Sequence, residues 1–203
     1  LIHGPTELLR AEALAAIRNG IADDPEMAEL NTTRLDGRTG SVSELCNACD
    51  TLPFLAERRL VIAEGLLARL AAPAKGRGKA AEAVTVNEGV EETPLSLEAA
   101  KGQAKVLLAY LDEVPESTEL VLLEDDTTSA GPILRRLQEL TRTGKAKIVT
   151  CEKLRRNELP DWIRQRAAAR KVKLDAGAIA DLAEFVGDEL RQLDQELIKL
   201  ADY

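Results

Sequence analysis

The first residues whose types and spacing could do chemistry lie near the start of the chain, between a predicted strand and a predicted helix. A loop in this position often binds phosphate, and the pattern G-x-x-x-x-G-K-[ST] supplies backbone N–H groups, a lysine and a hydroxyl that holds magnesium. Gly4 fits the first position of the pattern. Leu9, Arg10 and Ala11 occupy the positions of the second glycine, the lysine and the hydroxyl residue. Because Pro5 also removes an N–H donor, the sequence predicts a non-functional phosphate loop and no nucleotide cofactor.

Three other groups of residues have types that could do chemistry, and each favours a structural role. His3 is the only histidine and no serine or cysteine motif accompanies it. Cys46 and Cys49 have C-x-x-C spacing, but they fall inside a predicted helix and no second Cys or His pair completes a zinc site. The acidic residues 124–126 follow a strand, where a solvated turn is favoured over a metal site because no phosphate loop shares the metal. The sequence therefore predicts neither a catalytic site nor a metal site.

A loop with unusual apolar content precedes the third predicted strand. It contains Leu52, Pro53, Phe54 and Leu55, whereas loops are normally polar. These residues could cover the edge of the sheet. Alternatively they form a stiff apolar anchor for a partner's pocket, and then Phe54 and Leu55 should be exposed in the isolated chain.

Composition and charge narrow the function classes. The chain has 203 residues, of which 45% are hydrophobic, 31% charged and 2% aromatic, so a core of aliphatic residues is expected and an aromatic platform for single-stranded nucleic acid is not. The net charge of −8 argues against general nucleic-acid binding. Residues 135–173, however, carry 13 Lys and Arg against 4 Asp and Glu, which leaves open a DNA-binding module in this basic block.

The lack of a recognisable targeting signal in the sequence and the low number of cysteines favour a location in the cytoplasm. No apolar run approaches the roughly 18 residues that span a bilayer, and no leader pattern is present. Three cysteines in a chain of this length do not make a disulfide framework, so a reducing compartment and no membrane partner are expected.

The elements that must position these residues alternate between strand and helix over the first three quarters of the chain. Strands are predicted at about 1–3, 33–36, 59–64, 119–123 and 146–151, and helices at about 7–18, 42–50, 97–112 and 130–142. This alternation predicts an α/β fold with a five-stranded parallel sheet and helices on both faces. Residues from about 70 to 93, rich in Ala, Gly, Lys and Glu, predict a mobile surface insertion.

The pattern changes after the last strand and becomes helical throughout. Helices are predicted at 157–171, 175–186 and 188–202, with Asn157, Asp175 and Asp188 as N-caps. The chain is therefore expected to divide into an α/β domain at 1–153 and a small three-helix domain at 154–203.

Several short segments together resemble one known family, the delta subunit of the bacterial DNA polymerase III clamp loader. They are IHGPTELLRAE at 2–12, LDG at 35–37, TLPFLAERRLV at 51–61, ELPDWI at 158–163 and VGDELRQLDQEL at 186–197. The order and spacing of these segments follow the family along nearly the whole chain, but the insertion at 70–93 is longer than the family pattern.

The resemblance implies an AAA+ type fold, with the three-helix segment as the lid domain and a C-terminal collar domain absent from this chain. It implies a subunit of the DNA polymerase III holoenzyme, a DNA-directed DNA polymerase and nucleotidyltransferase complex, that has no catalysis of its own. Such a subunit acts in DNA replication: it binds the beta sliding clamp and opens the ring for loading on primed DNA. Its partners would be the clamp, the gamma/tau and delta-prime type subunits, and primed DNA. The family's clamp-binding apolar pair falls on Phe54 and Leu55, supported by Leu52 and Pro53.

The resemblance also bears on several arginines. Arg191 occupies the position of the AAA+ sensor-2 arginine, and with a disabled phosphate loop it is expected to form a structural salt bridge. In the basic block, the residues that could contact DNA or a neighbouring subunit are Arg155, Arg156, Arg166 and Arg170. Alternatively these charges pair with nearby carboxylates and solvate a helix. A nucleotide-binding AAA+ or P-loop ATPase subunit with an aberrant loop remains the alternative function.

Overall fold

The computed structural model describes residues 1–71, 97–127 and 131–201, and its centre is a parallel sheet. The strands are β1 (Ile2–His3), β2 (Thr32–Asp36), β3 (Arg59–Glu64), β4 (Thr118–Glu124) and β5 (Val149–Thr150). Their order across the sheet is β2-β3-β4-β1-β5, and every pair is parallel. The α/β fold class and the five parallel strands are therefore confirmed.

Helices flank the sheet and continue beyond it. They are α1 (Glu7–Asn19), α2 (Pro25–Leu30), α3 (Val42–Asp50), α4 (Leu66–Ala71), α5 (Leu97–Tyr110), α6 (Gly131–Arg142), α7 (Leu159–Ala169), α8 (Ala176–Phe185) and α9 (Leu190–Ala201). None of the helices in the described ranges is long and apolar enough to cross a membrane.

The strands that were predicted from apolar runs occupy the core. Leu60, Val61, Ile62 and Ala63 of β3 are all buried, which agrees with a central parallel strand covered by helices on both faces. One apolar cluster packs helices α3 to α6 against one face, and a second packs α1 against the other. The predicted strand at 146–151 is wrong in extent, because only residues 149 and 150 pair with β1.

Two short helices were not predicted from the sequence. Asp24 is the N-cap of α2, and its carboxylate accepts a hydrogen bond from the Glu26 backbone N–H. In α4, Leu70 is buried in the core, so the insertion does not begin at residue 70. The rest of the predicted insertion, from residue 72, lies outside the described residues.

The three C-terminal helices are present, but two of their predicted N-caps are wrong. The α8 cap is confirmed, since Asp175 Oδ1 accepts a hydrogen bond of 2.8 Å from the Ala178 N–H. Glu158, rather than Asn157, occupies the N-cap position of α7. Helix α9 begins two residues after Asp188, whose carboxylate lies 3.6 Å from Lys153 Nζ.

The C-terminal helices have a core of their own that also includes part of α1. Ile163, Leu193 and Leu197 are fully buried between the three helices. Leu8 and Leu9 of α1 pack against this cluster. The residue that replaces the second glycine of the phosphate loop therefore helps to hold the C-terminal helices against the α/β part of the chain.

Candidate partner-binding site

The apolar loop between α3 and β3 presents its large side chains to solvent. Leu52 is 81% exposed, Phe54 58% and Leu55 82%, whereas Pro53 is half-buried. The exposure predicted for Phe54 and Leu55 is confirmed, so these side chains do not cover the sheet edge. Three neighbouring exposed apolar residues are typical of a partner-binding surface.

The backbone of this loop is held by a buried asparagine that was not singled out from the sequence. Asn31 lies between α2 and β2, and its side-chain Oδ1 accepts a hydrogen bond of 2.6 Å from the Phe54 N–H. Its Nδ2 donates to the Phe54 carbonyl oxygen at 2.8 Å and to the Met27 carbonyl oxygen at 2.9 Å. One side chain thus satisfies both main-chain polar groups of Phe54.

A buried arginine holds the other part of the loop. Arg59 begins β3, and its Nη1 donates to the Thr51 carbonyl oxygen at 2.9 Å. Its Nη2 donates to Thr33 Oγ1 at 2.8 Å, which ties the guanidinium to β2. Since both Asn31 and Arg59 lie at the amino ends of strands, the apolar loop lies at the opposite edge of the sheet from the phosphate-loop position, which follows β1.

Two backbone donors of the degenerate phosphate loop, those of Gly4 and Thr6, are used inside the chain. The Gly4 N–H donates to the Glu124 carbonyl oxygen at 3.2 Å, and the Thr6 N–H donates to the Cys151 carbonyl oxygen at 3.1 Å. Gly4 has a φ of +129°, and a Cβ at this position would lie 2.4 Å from the Cys151 carbonyl oxygen. The glycine is therefore required by a close backbone approach, whether or not a phosphate binds.

Arg10 closes the same loop from the side of α1. Its Nη1 donates to the Gly4 carbonyl oxygen at 2.9 Å and to the Glu124 carbonyl oxygen at 3.3 Å. It also forms a salt bridge with Asp125. The guanidinium points at carbonyl and carboxylate oxygens that would repel a phosphate, and Ala11 supplies no hydroxyl for magnesium.

The salt bridge predicted for Arg191 is confirmed. Its Nη1 lies 2.6 Å from Glu7 Oε1, which connects the start of α9 to the first turn of α1. Both side chains are largely exposed, so this pair contributes little stability.

Two of the four arginines proposed for contact with DNA or another subunit are paired within the chain. Arg166 Nε donates to Asp194 Oδ1 at 2.6 Å, and Arg170 Nη2 donates to both Asp194 oxygens at 2.7 and 2.8 Å. Arg166 also forms a salt bridge with Glu12 of α1. For this pair the structure favours the alternative of pairing with nearby carboxylates, whereas Arg155 and Arg156 are exposed on the connector before α7.

The remaining candidates have structural surroundings. Burial raises the pKa of Cys49 to about 12, far from a reactive thiolate. His3 ring nitrogens lie 3.4 Å from Thr127 Oγ1 and 3.3 Å from Thr150 Oγ1. Within the described ranges, no three His, Cys, Asp or Glu side chains are grouped to hold a metal.

One part of the acidic segment at 124–126 is not a solvated turn. Glu124 is buried, and its carboxylate accepts hydrogen bonds from the backbone N–H groups of Leu67 at 2.6 Å and Ala68 at 3.3 Å. Burial raises the pKa of this carboxyl, while the two N–H donors oppose the increase. Glu124 therefore holds the first turn of α4 against β4, and the prediction of a solvated turn is wrong for this residue.

The sheet followed by three helices is a clamp-loader type of fold. A solved structure of the Bacillus subtilis DNA clamp loader delta protein (YqeN) superposes with a TM-score of 0.68 at 19% identity, covering 99% of this chain and 52% of that one. A gamma subunit-related DNA polymerase III protein from Thermotoga maritima gives a TM-score of 0.48 at 14% identity, covering 98% and 52%. The chain thus spans about half the length of both structures.

A family model agrees with the fold comparison. Residues 1–81 match the family described as DNA polymerase III, delta subunit. The matched range includes both the degenerate phosphate loop and the apolar loop, and it confirms the resemblance drawn from the sequence for this part of the chain. Among curated proteins, no sequence matches the chain.

Proposed function

We propose that this chain is the clamp-binding part of a DNA polymerase III clamp-loader delta subunit, which binds the beta sliding clamp and opens the ring without hydrolysing ATP. The observation that carries the proposal is the exposed set Leu52, Phe54 and Leu55 on a loop whose backbone is tied to the sheet. Aromatic and aliphatic anchors on a rigid support supply most of the binding energy of protein interfaces.

The absence of ATP hydrolysis is proposed from the hydrogen bonds that the degenerate phosphate loop makes within the chain. Its Gly4 and Thr6 N–H groups already donate to carbonyl oxygens, and Arg10 is engaged by Glu124 and Asp125. Isothermal titration of the chain with magnesium ATP should show no binding in the micromolar range. Micromolar binding would support the alternative of an ATPase subunit with an aberrant loop.

The sharpest test of clamp binding is replacement of the apolar anchors. The Phe54→Ser, Leu55→Ser double variant should bind the beta clamp at least about 100-fold more weakly, as expected for the loss of two anchor residues. Phe185→Ser is the matched control, because Phe185 is 84% exposed at the end of α8, far along the chain from the loop. Surface plasmon resonance on immobilised clamp measures both variants, and a double variant that binds normally would refute the proposal.

We further propose that residues 1–153 and 154–203 are the AAA+ type domain and its lid, within an assembly with gamma/tau and delta-prime type subunits. The exposed Arg155 and Arg156 then contact primed DNA held by the assembled loader. Reversing both to Glu should reduce the slope of log affinity against log salt by about two units. The charge-matched control reverses Lys101 and Lys105, both exposed on α5, and an equal change in the two double variants would refute the contact.

A further inference from the structure

The buried side chain of Asn31 makes specific hydrogen bonds to the backbone of the apolar loop. It is only 2% exposed, and its side-chain amide pairs with both the N–H and the carbonyl of Phe54, as a neighbouring strand would. The Asn31 main-chain carbonyl also accepts a hydrogen bond of 2.8 Å from the Leu60 N–H of β3. Asn31 thereby connects the backbone of Phe54 directly to the sheet.

The chemistry of the contact selects asparagine over aspartate. Nδ2 faces two carbonyl oxygens, those of Phe54 and Met27, while Oδ1 faces one N–H. A carboxylate has no donor for the two carbonyls and would be repelled by them. Asn31→Asp therefore removes two hydrogen bonds while keeping the size and shape of the side chain.

Arg59 fixes the start of the loop in a complementary way. Its guanidinium is buried, and it bridges the Thr51 carbonyl oxygen to Thr33 on β2. Leu55, the residue directly after Phe54, has a φ of +48°, a conformation that residues other than glycine rarely adopt. A backbone in this state persists only where its surroundings impose it.

We propose that Asn31 and Arg59 are positioning residues that hold the apolar loop in its clamp-binding conformation before the clamp arrives. The inference rests on the proposed clamp-binding function. A loop that is already ordered loses little backbone conformational entropy on binding. More of the free energy of its apolar contacts therefore contributes to affinity.

Three variants test the inference on the whole chain against the beta clamp. Asn31→Asp should weaken binding by about 10-fold or more and should accelerate hydrogen exchange of the free chain's amides in the loop at 52–55, those of Leu52, Phe54 and Leu55. Arg59→Met, which keeps the apolar stem and loses the donors, should act in the same way and serves if Asn31→Asp does not fold. Asn157→Ala, an exposed asparagine outside the loop, is the control and should change neither readout.

The Phe54→Ser, Leu55→Ser variant is measured alongside and separates the two possible failures. If this variant binds normally, both the proposed function and the positioning role fail. If it loses binding and the positioning variants lose affinity together with loop protection, the inference is supported. If it loses binding but folded positioning variants keep wild-type affinity, or lose affinity with unchanged exchange at 52–55, Asn31 and Arg59 have only a general structural role and the inference is overturned.

Discussion

Replacement of Asp194 should destabilise the packing of the C-terminal helices more than removal of an exposed ion pair on them would. Asp194 lies on α9, and its side chain is 11% exposed. It accepts hydrogen bonds from Arg166 of α7 and from Arg170, the residue directly after α7, and Arg166 in turn is paired with Glu12 of α1. One carboxylate therefore joins α9 to α7 and supports the contact with α1.

The expected magnitude follows from the bonds lost and from what remains. Hydrogen bonds to charged groups contribute about 1.5–3 kcal/mol each, and leaving a buried charge without its partner adds to the loss. Arg166 keeps Glu12, and both arginines reach water in part, which reduces the penalty. We expect Asp194→Ala to lower the free energy of unfolding by about 2 kcal/mol, and Asp194→Asn by less because one acceptor oxygen is kept.

The single tryptophan of the sequence provides the assay. Trp162 lies on α7 and packs against the apolar core of the C-terminal helices, and the Arg166 guanidinium lies 5.8 Å from its ring centre. Urea unfolding followed by its fluorescence therefore reports on the C-terminal helices. Glu196→Ala is the matched control, since it removes a more exposed i,i+3 pair with Lys199 on the same helix and should cost only about 0.3–0.5 kcal/mol.

The penalty should also depend on pH. Hydrogen bonds from Arg166, assisted by Arg170, hold the pKa of Asp194 below its ordinary value. Its stabilising contribution is therefore fully present above the unfolded value near 4 and is lost as the pH falls through the folded pKa. The difference between wild type and Asp194→Ala should shrink at acidic pH, and an Asp194→Ala penalty no larger than that of Glu196→Ala at pH 7 would refute the reasoning.

Two further predictions concern groups that the fold encloses. Iodoacetamide at pH 8 should modify the half-buried Cys46 before Cys49, whose burial raises its pKa to about 12, and peptide mass spectrometry would contradict this if Cys49 reacted first. Gly4→Ala should lower the free energy of unfolding by at least about 2 kcal/mol, because the new Cβ would collide with the Cys151 carbonyl and the backbone has a positive φ. Gly144 also has a positive φ but has open space around it, so Gly144→Ala should lower the free energy of unfolding by only about 1 kcal/mol. Equal thermal shifts for the two glycine variants would show that the close approach is not what requires Gly4.

Local pattern was sufficient for most elements of the fold. The strand predicted at 59–64 and the helix predicted at about 42–50 are present as β3 and α3 with these bounds, and a capping box between Ser41 and Glu44 begins α3. Such signals lie within a few residues of one another, so they can be read along the chain. The apolar loop was predicted for the same reason, because three large apolar residues beside Pro53 are visible in one short segment.

Tertiary contacts decided the features whose partners are distant in sequence. Helix α4 is only six residues long, and its first turn donates to Glu124, 57 residues further along the chain. The amide of Asn31 meets Phe54 across 23 residues, and nothing adjacent to Asn31 indicates this role. Arg166 and Arg170 appeared as part of a basic block, yet Asp194 reaches both from α9. Residue type determines what a group can bind, but the partner depends on which elements the packing of the core brings together.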